Sequence, residues 1–192
     1  MKTVFLQIFG SIALAAVLTS CPETTVPDGF GAGPVGFKPE AVADWEGSWH
    51  PVDAPKETFT FRVKDAKMGI LELREVSPSD PAKKPDVFTL TVRDTGVKTD
   101  EELCFAIVKE VTEAKDGTLY LMRPPKDGVL LLWGIDHDAV SAAIQARQLQ
   151  GLTKNEKDGP HNALADSPED YPKLLSPGFW KWTQPAVLVK AR

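Results

Sequence analysis

The feature that most limits what this chain can fold into is a succession of short segments in which apolar and polar residues alternate. Thr58-Phe59-Thr60-Phe61-Arg62-Val63-Lys64 places Phe59, Phe61 and Val63 on one side. A period of two is that of an extended strand, whose successive side chains point to opposite faces. Gly69 to Val76 repeats the pattern, with Leu71 and Leu73 inward and Glu72 and Arg74 outward; Val87 to Arg93 repeats it with Phe88, Leu90 and Val92. Glu46-Gly47-Ser48-Trp49-His50 precedes these segments, and Leu103 to Val111, Gly117 to Met122 and Val129 to Ile135 follow. Asp94-Thr95-Gly96, Asp116-Gly117 and Asp127-Gly128 separate them. Asp-Gly pairs suit hairpins because glycine adopts the positive φ such turns require. The pattern predicts a mainly β (α+β) fold, an antiparallel meander barrel or sandwich of about seven to nine strands.

The period changes in the C-terminal third, where two short helices are expected. Val140, Ala143, Ile144 and Leu149 are spaced for one helical face over Asp136 to Gln150. An aspartate at 136 or 138 can cap its start, with Asp138 the expected cap within Asp136-His137-Asp138, and Gly151 can end it. Ser167-Pro168-Glu169-Asp170 opens a second helix that buries Tyr171, Leu174 and Leu175. Ala186 to Val189 reads as a last strand. Trp180 and Trp182 would share a face if extended. They are expected to cover the barrel end or pack on the helices, and the sharper alternative is an aromatic rim for a ligand or partner.

Composition narrows the function classes. The 192 residues carry 22 basic and 27 acidic side chains, a net charge of −5, and no Lys/Arg cluster. Nucleic acid is therefore not an expected partner. The three histidines are not spaced as a metal pair, and three adjacent residues seldom ligate one ion, so no metal is expected. Neither a phosphate-cradling glycine loop before a helix nor a nucleophile elbow is present, so no cofactor and no catalytic residue is assigned. Cys104 lies in an apolar run and reads as a buried free thiol.

Lys2 and a mostly apolar stretch from Thr3 to Leu18 open the chain and end in Leu18-Thr19-Ser20-Cys21. This ending resembles the lipobox of bacterial lipoproteins. The resemblance implies cleavage between Ser20 and Cys21, acylation of the Cys21 thiol, and a place in the cell envelope held to a membrane through that lipid. Proline at position 22 is not the aspartate that retains such proteins at the inner membrane, which favours the outer membrane facing the periplasm. A plain secretory signal and a retained N-terminal anchor are the alternatives. Residues 22–36 are dominated by proline and glycine and are expected to be a flexible tether. The expected organisation is a signal peptide over 1–20, a lipid-anchored tether over 21–43 and one β-rich domain over 44–192.

Gly47-Ser48-Trp49 resembles the G-x-W that opens the first strand of lipocalins, whose tryptophan packs at the closed end of an eight-stranded barrel. Two departures stand out: the helix follows roughly the seventh strand rather than the eighth, and no arginine is identified to cover the tryptophan. Residues 44–192 resemble small bacterial lipoproteins to which no activity is assigned. The expected function is a non-catalytic binding or interaction domain. A protein partner is preferred to an apolar small molecule, because bulky inward residues tend to fill so small a barrel. An envelope hydrolase with dispersed active-site residues and a structural or assembly lipoprotein are the alternatives.

Overall fold

The computed structural model describes residues 22–76, 85–111 and 116–191. Ser20 and Cys21, with the rest of the lipobox-like ending, lie outside the described residues. Strand β1 (Glu23–Val26) and helix α1 (Pro39–Trp45) come first. Seven strands follow: β2 (Gly47–Pro51), β3 (Thr58–Asp65), β4 (Ile70–Val76), β5 (Asp86–Asp94), β6 (Cys104–Glu110), β7 (Gly117–Lys126) and β8 (Val129–Gly134). The chain then forms α2 (His137–Gln145), β9 (Gly151–Glu156), β10 (Gly159–Leu164), α3 (Tyr171–Leu174) and β11 (Ala186–Lys190). Strands β2 to β8 form an antiparallel meander, and β11 inserts between β8 and β2. The result is a closed eight-stranded antiparallel barrel: of the barrel and sandwich that the alternating pattern allows, the structure is the barrel. Its β7–β8 hairpin turns at Asp127 (φ 53°) and Gly128 (φ 75°), with Lys126 paired to Val129. Two successive positive φ values are what a two-residue hairpin with the right-handed strand twist needs.

The alternation works as expected inside the barrel. Phe59, Phe61, Leu71, Leu73, Phe88 and Leu90 are all buried in one interior cluster with Trp49, Met122, Leu130 and Leu188. Helix α1 plugs one end. Phe37 stacks on Trp45 with ring centroids 4.6 Å apart, and the Trp49 indole N–H donates to the Trp45 carbonyl at 3.0 Å. Lys190, on the last strand, lies over the Trp49 ring at 5.8 Å and donates to the C-terminal carbonyls of α1 at Ala43 and Asp44. Lys190 thus covers the tryptophan, joining a cation–π contact to a helix C-terminus.

A second layer covers part of the outside. The outer faces of β6, β7 and β8 carry Phe105, Ile107, Leu119, Leu121 and Trp133, all buried against Val140, Leu164, Tyr171, Leu174 and Trp180. The fifty or so residues between β8 and β11 supply most of that cover. Strand β1 adds to it, running parallel to β10 and antiparallel to the start of β7.

Four expectations need correction. The segment read as a flexible tether is built into the body: β1 sits inside the sheet, Val26 and Phe30 are fully buried, and residues 27–37 form a strap that runs from Phe105 of β6, on which Phe30 lies, along the end of β5 to Phe37 in the interior cluster. Ala32 N–H donates to Asp94 O, Val35 N–H to Val92 O, and the Arg93 guanidinium to the carbonyls of Gly29 and Phe30. The glycines there serve close approach rather than slack: a Cβ on Gly31 would lie 2.8 Å from that of Arg93, and one on Gly69 only 2.3 Å from the Val35 carbonyl. Second, Asp136 and not Asp138 caps α2, its carboxylate accepting the Ala139 N–H at 3.0 Å. Third, that helix ends at Gln145, where Arg147 adopts φ 59° and the Gln148 N–H turns back to Ala143 O. Gly151 instead opens β9. Fourth, the β9–β10 hairpin replaces what was read as helix end and loop.

Candidate functional site

The site candidates all lie outside the barrel. One concavity among the described residues is a shallow groove of about 500 Å³ on the open face of the β1–β10–β9 sheet. Strand register builds it: Glu23 pairs with His161, which pairs with Lys154, and Thr25 pairs with Ala163, which pairs with Leu152. Residues in register share a face, so the six line one surface. Leu152 is 77% exposed, the most exposed large apolar side chain among the described residues.

The opposite face of this sheet is a closed polar network. Thr24 and Asn162 are buried. The Asn162 amide donates to Thr24 Oγ1 at 3.2 Å and to the His137 carbonyl at 2.9 Å, while its oxygen accepts from Thr153 Oγ1 at 2.8 Å. Thr24 Oγ1 and His137 Nδ1 lie 2.9 Å apart. Burial, helped by the Lys181 charge, depresses the His137 pKa to about 4, so the ring is neutral at ordinary pH. A satisfied network of this kind holds three elements in one arrangement. It locks β1 to the hairpin and to the start of α2.

At the hairpin tip, Glu156, Asp158 and His161 each bring a potential ligand atom within 4.8 Å of the others. The Lys154 ammonium already occupies Glu156 at 2.6 Å and lowers its pKa; His161 Nε2 lies 3.3 Å from Asp158. Such an exposed arrangement with its own cation is what a solvated turn also produces. Sequence reading missed this cluster because it missed the hairpin; Asp158-Gly159 between two polar segments was the available signal.

Three other groups were singled out in the sequence. Trp180 is buried, its indole N–H donating to Leu174 O, and offers no surface. Trp182 is half-buried, with its ring 5.4 Å from that of Trp133. The pair therefore packs on the outer layer rather than forming a rim. Cys104 is buried, and burial with Asp94 and Glu102 nearby pushes its thiol up to about 12, which keeps it protonated. At the rim of the barrel the Glu57 carboxyl is raised by burial and by Asp53, but the groove lies elsewhere.

No protein-family model, no curated protein and no solved structure matches this chain. The reading of its function therefore rests on its own residues.

Proposed function

We propose that this chain is a lipid-anchored protein of a bacterial cell envelope whose barrel is a non-catalytic domain that binds a protein partner through its outer surface. Leu18-Thr19-Ser20-Cys21 supports the anchor, and Pro22 favours the outer membrane facing the periplasm. One observation carries the choice of a protein over a small apolar ligand. The barrel interior is occupied by the chain's own side chains, with Trp49, Leu71 and Leu73 fully buried and Phe59, Phe61 and Phe88 at most 3% exposed. A small-molecule site needs a cavity of roughly 300 Å³ or more, and close-packed aromatic side chains leave little room for one. The groove on β1–β10–β9 offers an outer surface where the edge strand β9, paired only with β10, has its second side open among the described residues.

Native mass spectrometry after incubation with a mixed lipid extract tests the reading. The expected result is the protein with its covalent acyl chains and no further lipid; additional retained lipid would overturn the protein-partner version in favour of an apolar ligand. Crosslinking in intact envelopes should recover one consistent partner. Recovery of none would favour a structural role. Cys21→Ser should release the protein from membranes in detergent-free fractionation.

A further inference from the structure

We propose that the domain stands directly on the bilayer, with the corner formed by Pro22, the β9–β10 turn and the β7–β8 turn as its membrane-facing surface. This rests on acylation of Cys21, the reading given above. Cys21 is bonded to Pro22, and β1 begins at the next residue. Two residues of extended chain span at most ~7 Å. Pro22 is itself seated on the hairpin: a Cβ on Gly159 would lie 2.5 Å from the Pro22 ring. Nor can β1 peel away freely to lengthen the link. It lies between β7 and β10, Thr24 is fully buried in the Asn162–His137 network, and Glu23 accepts a hydrogen bond from Thr118 Oγ1 at 2.7 Å. An anchored chain with so short a link brings its first fixed residues to the headgroup layer.

The chemistry of the corner fits a bilayer surface rather than its interior. Lys154, Glu156, Lys157 and Asp158 are polar and carry both signs, with Lys154 paired to Glu156. Contact is therefore enforced by the covalent lipid and owes little to anionic headgroups. The strand directions then set the orientation. Strand β1 leads away from the membrane, and β6 runs with it; β7 runs back antiparallel and, with Tyr120 level with Glu23, continues to Lys126, so the β7–β8 turn lies at the membrane end as well. Exposed Val111, just past the end of β6, projects from the far side, ~15 Å farther along the strand direction than Glu23. The groove beside Glu23, Lys154 and His161 opens at headgroup depth.

The test uses the full acylated chain in phosphatidylcholine vesicles containing lipids nitroxide-labelled on the headgroup. A fluorophore is placed by Lys157→Cys or by Val111→Cys, in a Cys104→Ala background. Quenching at position 157 should exceed that at 111 several-fold, and change little when phosphatidylglycerol is added. A twelve-residue Gly/Ser insertion between Cys21 and Pro22, with an r.m.s. span of ~20 Å, should erase the difference while flotation with vesicles is retained. Equal quenching at both positions in an acylated, floating chain of natural length overturns the orientation alone. A chain that carries no acyl mass and stays off the vesicles overturns the anchor, and the orientation with it.

Discussion

The barrel is wet on one flank and dry on the other. In β3 and β4 the outward residues Arg62, Lys64, Glu72 and Arg74 reach solvent, with Glu72 paired to Lys64 and Arg74, whereas in β6 and β7 the outward residues Phe105, Ile107, Leu119 and Leu121 are buried. Both flanks share the same interior and the same antiparallel ladder. The difference comes from what lies over them: nothing among the described residues on the first flank, and the strap, β1 and the β8–β11 excursion on the second. A strand with alternating sequence therefore marks a half-covered sheet, and a strand apolar on both faces marks a sheet with a lid.

The largest effect should come from the interior common to both flanks. Trp49→Ala removes a fully buried indole from the closed end and strips Lys190 of its ring contact. It should cost roughly 3–5 kcal/mol in urea unfolding, read as a lower midpoint for both flanks together. A change that loosened only one flank would show that the two cores unfold separately.

Next comes a change confined to the dry flank. Asn162→Ala orphans Thr24, Thr153 and the His137 carbonyl, and should cost about 1–3 kcal/mol. Amide exchange should accelerate in β1, β9 and β10 while β3 and β4 stay protected. Uniform acceleration would mean that the outer layer is no separate unit.

The dry flank should also respond to acid. A histidine with a depressed folded pKa binds its proton less readily than in the unfolded chain, so its contribution is present above pH ~6.5 and is lost as pH falls towards 4. The expected loss is on the order of 1–2 kcal/mol, seen as a falling unfolding midpoint over that window and absent in a His137→Gln chain. A midpoint flat between pH 6.5 and 4 in the natural chain would contradict it.

The smallest effect belongs to the wet flank. Glu72→Gln breaks the contacts to Lys64 and Arg74, at 3.2 and 2.8 Å. Exposed ion pairs contribute about 0.5 kcal/mol or less, so the midpoint should scarcely move. A loss comparable to that of Asn162→Ala would mean the wet flank is more tightly coupled than its exposure implies.

The same contrast explains what could be read in advance. The wet-flank strands declare themselves because one face meets water, and Asp127-Gly128 declares its turn through two residue types that adopt that backbone readily. Leu103 to Val111 signalled a covered sheet, yet not what covers it, since partners such as Phe30 and Trp180 are about seventy-five residues from Phe105 in sequence. The strap was misread because proline and glycine serve close crossing as well as slack, and only the contacts of Gly31 and Gly69 distinguish the two. Strand β9 was missed because Lys154, Asn155 and Glu156 are solvated, so no apolar period marks it. The candidate groove inherits that blindness: Leu152, Lys154 and His161 meet only after a hairpin that hydropathy does not reveal.

Strand β11, at residues 186–190, is the final stave between β8 and β2. Until those residues arrive, the growing chain bears two raw sheet borders, β2 and β8, about eighty positions of synthesis apart at their origins. Closure is thus a late, long-range event. Any stop codon or protease cut shortly before position 186 should yield not a slightly smaller protein but an open, self-adhesive curl.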